Sequence, residues 1–181
     1  LEKEGFEVTY LDVEKNGIIN PEDLKKAIKP ESILVSIMHA NNEIGTIQPI
    51  EKIGEICQKN RLIFHTDACQ TALYLDLNTE KLNVDLLSIN GSKIHGPKGI
   101  GALYIKRETK LEPILFGGNH EHQLRPGTQA TASIVGLAEA IKINKAPQII
   151  ELRNYLTQEL LKIDGITLNG DSDKRLANNI N

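Results

Sequence analysis

The sequence predicts an α/β protein built on a doubly wound, mainly parallel sheet with helices on both of its faces. Two observations carry this prediction. Apolar, strand-like runs alternate with long helix-like segments, which is typical of parallel strands joined by helical crossovers. Polar side chains also collect directly after the apolar runs, and the carboxyl ends of parallel strands are where such sheets bind ligands.

Composition excludes several classes of protein. The 181 residues are 40% hydrophobic and 25% charged, which is ordinary globular usage and enough for one sizeable core. A net charge of −3 gives no basis for direct nucleic-acid contact, and no apolar run is long enough to predict a membrane span. Cys57 and Cys69 match neither a disulfide framework nor a zinc pattern, so we expect a cytoplasmic protein in which both are small core residues.

The strands are predicted from short apolar runs with turn residues at their ends. The run at 32–38 shows no polar alternation, so we expect it to be buried on both faces of the sheet. The run at 101–105 follows 84–89 after only a short glycine loop, which predicts an antiparallel pair. The complete set of runs predicted to lie in this sheet is 6–11, 32–38, 62–68, 84–89 and 101–105.

The helices are predicted from their start and stop signals. The first four residues resemble the last turn of a helix that Gly5 closes. The longer helices begin after Asn20, which precedes Pro21, and at Pro49; two more are predicted at 130–143 and from Pro147 to 164–165.

The chain is predicted to contain parts of two domains. Residues 166–170 follow the last helix and resemble a strand of a different sheet. We therefore assign residues 1–146 to a large domain, and residues 147–181 to a linking helix and the start of a small α+β domain. The chain has no initiator Met and stops where a new extended segment begins, so we expect it to be an interior piece of a longer protein.

The stretch SINGSKIHGPKGIGALYI (88–105) places Lys93 between an apolar run and a glycine-rich turn. Lys93 is either one more solvated loop charge, which position alone favours, or a reactive amine at the mouth of the sheet. Asp67, at the end of another run, could cap a helix, bind a metal or pair with a partly buried cation. Asn42 and Gln70 could orient an aromatic hydroxyl or satisfy loop backbone.

Two other motifs have weaker functional interpretations. The glycine-rich segment GPKGIG (96–101) lacks the Gly-Lys-Ser/Thr of a P-loop and precedes a strand, whereas a dinucleotide fingerprint opens a helix. Its glycines are better explained by a tight reversal between two strands. His120 and His122 flank Glu121, but no third ligand lies at a recognisable spacing, so we predict no metal site.

Four motifs in order resemble the cysteine desulfurases of the class-V aminotransferase family, from about Phe6 to Ile180. They are SIMHANNEIGTIQPI, HTDACQT, NGSKIHGPKGIGALYI and GGNHEHQLRPGT. The resemblance implies the fold-type-I architecture of enzymes that use pyridoxal 5′-phosphate (PLP). It also implies a homodimer. The chain would begin inside the large cofactor domain and end just inside the small C-terminal domain.

The resemblance assigns roles position by position. Lys93 matches the lysine that binds PLP covalently, and Asp67 matches the aspartate that pairs with the pyridinium nitrogen. Gln70 matches the amide that faces the phenolic oxygen of the cofactor, and Asn42 the amide that meets cofactor and substrate carboxylate. Thr128, in the segment RPGT, matches a threonine that reaches the cofactor phosphate of the neighbouring subunit.

The chain departs from the family pattern just before Lys93. The family has Ser-Gly-His-Lys where this chain has Asn90-Gly91-Ser92-Lys93, and the family's Ser and His contact the phosphate. Asn90 and Ser92 can each donate one hydrogen bond there, but the cationic contact of a histidine is lost. Neither Cys57 nor Cys69 matches the catalytic cysteine, which we expect to follow residue 181, as the N-terminal phosphate-binding turn should precede residue 1.

The implied function is the PLP-dependent conversion of L-cysteine to L-alanine. Sulfur would pass through an enzyme persulfide to an iron–sulfur scaffold, to tRNA thiolation or to another acceptor protein, and residues 1–181 alone would be inactive. The alternatives are a related class-V aminotransferase or selenocysteine lyase, a non-catalytic scaffold relative, and a plain nucleotide-binding domain. The last is disfavoured by the glycine-rich segment.

Overall fold

The computed structural model describes residues 1–143 and 146–181. Its centre is a four-stranded sheet in the order β1-β2-β3-β4, in which β1 to β3 are parallel and β4 is antiparallel to β3. The mainly parallel sheet and the antiparallel last pair are therefore as predicted. The strands are β1 (Leu34–Met38), β2 (Ile63–Asp67), β3 (Leu86–Asn90) and β4 (Gly101–Ile105).

The predicted longer helices are present, with small shifts at their ends. Asn20 caps the first by accepting a hydrogen bond from the backbone N–H of Glu22 at 3.0 Å, and Pro21 is its first residue. The last helix ends earlier than predicted. The α-helices are α1 (Pro21–Ala27), α2 (Ile50–Lys59), α3 (Thr79–Leu82), α4 (Thr131–Ile141) and α5 (Ala146–Leu160).

Short helical turns supplement these elements. A 3₁₀ turn at Glu2–Glu4 ends at Gly5 in the left-handed conformation, as predicted. The one-turn α3 was not predicted, because four residues are too few to show a helical period. A further 3₁₀ turn, Gly91–Lys93, follows β3 directly.

Two predicted strands are wrong. Residues 6–11 and 166–170 form no ladder, and most of them are exposed. Both runs have strand-like composition, but a strand also needs a hydrogen-bonding partner, and the described residues supply none. The predicted two-sided burial of β1 is also wrong for this chain, since Leu34 is 45% and Met38 40% exposed.

The main core lies on one face of the sheet. Phe64 from β2 is fully buried there, among apolar side chains of α1, α2 and the neighbouring strands, including Ile53 and Leu87. A smaller cluster contains Leu137 and Ala140 of α4 together with Ile94. Because Ile94 directly follows Lys93 and is only 1% exposed, this second cluster anchors the chain just beyond the lysine.

Candidate active site

The carboxyl ends of the parallel strands meet at one edge of the sheet. Met38 of β1 is the register partner of Asp67 in β2, and Asp67 is the register partner of Ser88 in β3. The backbone N–H of His39 donates to the carbonyl of Asp67 at 2.8 Å, which extends the β1–β2 pairing by one residue. The edge that the sequence predicted to carry the polar residues is therefore continuous across three strands.

Asp67 presents its carboxylate at this edge. The residue is exposed, and its Oδ1 accepts a hydrogen bond from the backbone N–H of Cys69 at 2.9 Å. This contact orients the carboxylate. The other oxygen accepts no hydrogen bond from any described residue, so it can bind a cationic group of a ligand. Asp67 neither caps a regular helix nor belongs to a cluster of metal-ligating side chains in the part of the chain that the structure describes.

Lys93 ends the 3₁₀ turn that leaves β3. The side-chain oxygen of Asn90 shapes this turn, since it accepts from the backbone N–H of Ser92 at 2.9 Å and from the Ser92 hydroxyl at 2.8 Å. A Cβ at Gly91 would lie 2.9 Å from the carbonyl oxygen of Pro97, so only glycine fits there. Lys93 itself is exposed and forms no ion pair with any described residue. The turn therefore presents an uncommitted amine.

Cys69 belongs to the site and not to the core, so that prediction is wrong, whereas Cys57 is buried in the main core as expected. The Cys69 thiol is half-buried and contacts the carbonyl of Ser88 at 3.8 Å. Burial and the neighbouring Asp67 carboxylate raise the pKa of Cys69 to about 12, while the charge of Lys93 opposes the shift. Asp67 and Lys93 thus act on the same thiol, which stays protonated at neutral pH and is a poor nucleophile.

A second polar layer lies beside Asp67 and was not predicted. His65, two residues earlier on the same face of β2, lies 2.8 Å from the Ser36 hydroxyl through Nδ1 and 3.2 Å from the Ser88 hydroxyl through Nε2. Burial lowers the pKa of His65, although the Asp67 carboxylate opposes the shift. The alternation in FHTDA places His65 and Asp67 on one face of β2. The residues around His65 do not, however, predict its contacts with Ser36 and Ser88, which lie on other strands.

His39 lies buried at the carboxyl end of β1. It is 5% exposed, its Nδ1 is 3.3 Å from the Thr71 hydroxyl, and its carbonyl accepts from the backbone N–H of Gln48 at 2.9 Å. Burial lowers the pKa of His39 to about 4. The imidazole is therefore neutral at physiological pH and supports the start of the loop that carries Asn42.

The buried His39 predicts a specific loss of stability in mild acid. A group whose folded pKa lies near 4 and whose unfolded value is 6.5 favours folding above pH 6.5, and this contribution falls as the pH drops from 6.5 towards 4. We expect the loss to reach at most about 3 kcal/mol. The measurement is the urea midpoint of the full-length apoprotein between pH 7.5 and 4.5.

The control for this prediction is His39→Gln, which retains a polar side chain that does not titrate. Its stability should fall less steeply over the same pH range, since other groups contribute equally to both proteins. Parallel curves for the two proteins would contradict the role given to His39.

Asn42 lies at the tip of a hairpin-like loop, residues 39–48, which we call the Asn42 loop. Ala40 forms an antiparallel bridge with Ile47, and the Asn42 side chain is exposed and donates to the Glu43 carboxylate at 2.9 Å. Asn42 is therefore on the loop that leaves β1 at the same sheet edge as Asp67.

Gln70 and Thr128 have different settings. Gln70 is half-buried and lies three residues after Asp67, on the segment that leaves β2. Thr128 is exposed in the loop before α4, and its side chain makes no hydrogen bond to any other described residue. The structure thus brings Lys93, Asp67, Asn90 and Gln70 to the ends of adjacent strands but does not join Thr128 to them.

A free lysine amine, an oriented carboxylate and a glycine-supported turn at one sheet edge fit the demands of PLP. The amine can bond to the aldehyde, and the carboxylate can hold the pyridinium proton. Among the described residues, no cluster of metal-ligating side chains occurs, and no helix is long and apolar enough to span a membrane. Fold and site therefore fit the fold-type-I class of PLP-dependent proteins.

The comparisons narrow this class to one family. The family model described as Aminotransferase class-V matches residues 1–181, and the chain belongs to this family, whose members depend on PLP. It is 47% identical to a cysteine desulfurase IscS of Dictyoglomus turgidum and 49% identical to one of Methanosarcina thermophila, in each case over 100% of the chain. Those alignments cover 48% and 46% of the relatives, so the chain spans about half of their length.

Solved structures agree with the fold. A NifS-like protein superimposes with a TM-score of 0.93 at 37% identity, over 99% of this chain and 51% of that protein. DndA from Streptomyces lividans gives a TM-score of 0.87 at 35% identity, over 97% of this chain and 52% of DndA. The predicted α/β fold class is confirmed.

Proposed function

We propose that the protein containing this chain is a PLP-dependent cysteine desulfurase that converts L-cysteine to L-alanine. The observation that carries the proposal is the uncommitted Lys93 amine on the turn after β3, with the oriented Asp67 carboxylate at the end of β2. The names of the two IscS relatives support the reaction. A similar structure, SspA, is described in complex with cysteine, which supports the substrate.

Lys93 has two tasks in the proposed mechanism. Its amine would hold PLP covalently through the cofactor aldehyde, and in its free form the Lys93 amine would take the proton from the substrate Cα. When bound, PLP withdraws electrons from that carbon, which makes both this proton and the substrate sulfur easier to remove. The Asn90-capped turn orders the backbone that carries Lys93, which places the amine at the carboxyl end of β3.

Asp67 keeps the pyridine nitrogen protonated. The backbone N–H of Cys69 holds Oδ1, and the second oxygen is available to the ring nitrogen. A carboxylate there favours the charged ring by electrostatic attraction. Gln70 would face the phenolic oxygen, and Asn42 would meet the cofactor and the substrate carboxylate.

The phosphate is held by neutral donors from this chain. Asn90 offers its side-chain N–H groups, because its oxygen already accepts from Ser92. Ser92 contributes its hydroxyl only if it gives up the bond to Asn90. Thr128 would donate to the phosphate in the partner subunit's site, so the proposal includes a homodimer.

The sulfur acceptor is a cysteine outside residues 1–181. Its thiolate attacks the substrate sulfur, an S–S bond forms as the C–S bond breaks, and the carbon skeleton keeps the electron pair of that bond and takes up a proton to become alanine. Cys69 does not take this role, since its pKa is raised to about 12. The persulfide is passed to an iron–sulfur scaffold or another sulfur-acceptor protein in the cytoplasm.

The two-domain division completes the proposal. Residues 1–146 form part of the PLP-binding large domain, and residues 147–181 form the linking helix and the start of the small domain. This division is supported by the position of the sheet, because all four of its strands precede α5 and the described residues after α5 add no strand to it.

The experiment uses the full-length protein with PLP and L-cysteine. We expect a visible absorption band, stoichiometric sulfide and alanine under reducing conditions, and, after borohydride reduction, a pyridoxyl label on Lys93. Turnover of L-selenocysteine alone would favour a selenocysteine lyase, and amino-group transfer to a keto acid would favour an aminotransferase. A label on Lys98, or no label, would refute the site.

The Asn90–Ser92 pair predicts how the missing histidine affects PLP affinity. We expect Ser92→His to bind PLP about threefold to tenfold more tightly at pH 6, because an imidazolium adds a charged donor to the phosphate. The gain should shrink at pH 8, where the imidazole is neutral. The measurement is absorbance titration of the apoprotein with PLP.

Ser92→Ala is the matched variant for this experiment. It should change PLP affinity less than twofold, since the Ser92 hydroxyl donates to Asn90 in the structure. A large loss in Ser92→Ala would mean that the hydroxyl turns to the phosphate and is a main anchor.

A further inference from the structure

The segment after α5 docks on the Asn42 loop, although the two lie far apart in sequence. The backbone N–H of Ile47 donates to the carbonyl of Lys174 at 2.8 Å, and that of Leu176 donates to the carbonyl of Gly45 at 2.9 Å. Thr46 and Arg175 form an antiparallel bridge at this point. The loop that carries a proposed substrate-binding residue is therefore paired with residues 169–181, which we call the C-terminal segment.

Asn179 carries this contact to the tip of the Asn42 loop. Its side-chain N–H₂ donates to the carbonyl of Glu43 at 2.8 Å and lies 3.4 Å from the carbonyl of Asn42. Gly45 allows the approach, because a Cβ at that position would be 2.4 Å from the Asn179 side-chain oxygen. Asn179 thus binds the backbone of the two residues at the tip and does not contact the Asn42 side chain, whose N–H₂ donates to the Glu43 carboxylate.

Arg175 orients Asn179. The Arg175 side chain is 5% exposed and donates to the side-chain oxygen of Asn179 at 2.9 Å. It also donates to the carbonyl of Asp171 at 2.9 Å and to the carbonyl of Asn169. With its oxygen held by a buried guanidinium, the Asn179 amide has one orientation, in which its N–H₂ faces the loop.

The other restraints on the tip come from the loop itself and from residues 169–181. The Asn41 side chain accepts from the backbone N–H groups of Glu43 and Ile44, at 2.9 and 3.0 Å, which shapes the turn locally. Among the described residues, the carbonyls of Asn42 and Glu43 receive side-chain hydrogen bonds from the C-terminal segment alone. Asn181 also donates to the Glu43 carbonyl, at 3.4 Å, so the contact from Asn179 at 2.8 Å is the shortest of these side-chain hydrogen bonds to the tip.

We propose that Asn179, oriented by Arg175, is a positioning residue that fixes the backbone at Asn42 and thereby sets the affinity for the amino-acid substrate. This inference rests on the proposed function, in which the Asn42 amide meets the substrate carboxylate. Asn179 does not touch the substrate; it acts through the backbone that carries Asn42. Movement of this tip weakens the hold on the substrate carboxylate without moving Lys93 or Asp67.

The test uses Asn179→Ala and Asn179→Asp in the full-length holoenzyme. Aspartate keeps the oxygen that Arg175 binds but replaces the N–H₂ group with a second oxygen, which repels the Glu43 carbonyl. We expect both variants to raise KM for L-cysteine about tenfold, the effect of losing one well-placed contact, with kcat within twofold of wild type. Hydrogen exchange of the amides in residues 41–46 should be faster in both.

Asn178→Ala is the control, since Asn178 is exposed and its side chain makes no hydrogen bond to a described residue. It should leave KM and exchange unchanged. A fall in melting temperature for Asn179→Ala with KM unchanged in both Asn179 variants would make the residue merely structural and overturn the proposal. So would equal losses of kcat and kcat/KM, which would indicate an effect on the chemical step.

The failure of this inference is distinguishable from failure of the proposed function. If wild-type protein carries no borohydride-fixed cofactor on Lys93 and releases no sulfide, the proposed function fails, and the substrate-affinity part of this inference fails with it. The exchange of residues 41–46 still decides whether Asn179 holds the tip. If wild type is active and the Asn179 variants match it in KM and exchange, only this inference fails.

Discussion

Lys93→Ala in the full-length protein is expected to abolish desulfurase activity, with kcat reduced at least about a thousandfold. The variant loses both the covalent attachment of the cofactor and the base for the Cα proton, and removal of a general base alone costs roughly a hundredfold to ten-thousandfold. The visible band should change, because PLP would be held only by non-covalent contacts. The measurements are sulfide release, the absorption spectrum and cofactor retention after dialysis.

Lys98→Ala is the matched control, since Lys98 is also exposed and lies in the same glycine-rich segment. We expect it to keep near-wild-type activity and a borohydride-fixed cofactor. If Lys93→Ala retained normal turnover while Lys98→Ala lost it, the assignment of the reactive amine would be reversed.

Asp67→Asn is expected to slow Cα deprotonation by roughly a hundredfold or more while PLP affinity falls much less. The substitution removes the charge that keeps the ring nitrogen protonated, and the loss of a charged interaction in such a site is worth several kcal/mol of barrier. Asparagine can still accept the hydrogen bond from the backbone N–H of Cys69, so the local shape should survive. The measurements are kcat/KM for L-cysteine and PLP titration of the apoprotein.

Asp76→Asn is the control for charge removal. Asp76 pairs with Lys81 on the exposed surface, at 2.8 Å, and contacts of this kind contribute little. It should therefore leave both activity and PLP affinity near wild type. Wild-type turnover in Asp67→Asn would mean that this carboxylate has a different role.

Cys69 links these two predictions. Its thiol lies next to Asp67 and within the field of Lys93, and burial together with Asp67 raises its pKa to about 12. In Asp67→Asn the pKa of Cys69 should fall, because the negative neighbour is removed. Faster alkylation of Cys69 in that variant would report on the same electrostatics without any turnover.

Local patterns in the sequence determined much of the fold and the centre of the site. Neighbouring residues determine the strand ends, the helix start at Asn20-Pro21 and the tight turn at 96–101. A short stretch of sequence is therefore enough to predict each of these features. For the same reason, Lys93 and Asp67 were placed correctly at the ends of adjacent strands. Their chemical roles came from the family resemblance and stay predictions.

The wrong predictions concern features that the local sequence does not specify. Residues 6–11 and 166–170 have the composition of strands, yet a strand forms only where another backbone is available to pair with it. Cys69 was assigned to the core because cysteine is usually buried. Its half-buried place beside Asp67 follows from where the chain turns after β2, and residue type does not specify that turn.

Only the tertiary structure decided the contacts between distant parts of the chain. His65 meets serines on two neighbouring strands, and Asn179 binds the carbonyl of Glu43 across a separation of 136 residues. Such contacts form only when strands align and distant segments pack together. The residues next to each partner in the sequence do not indicate which distant residue it will meet. The sequence alone therefore located the groups proposed to carry the chemistry, whereas the structure revealed the residues that hold them in position.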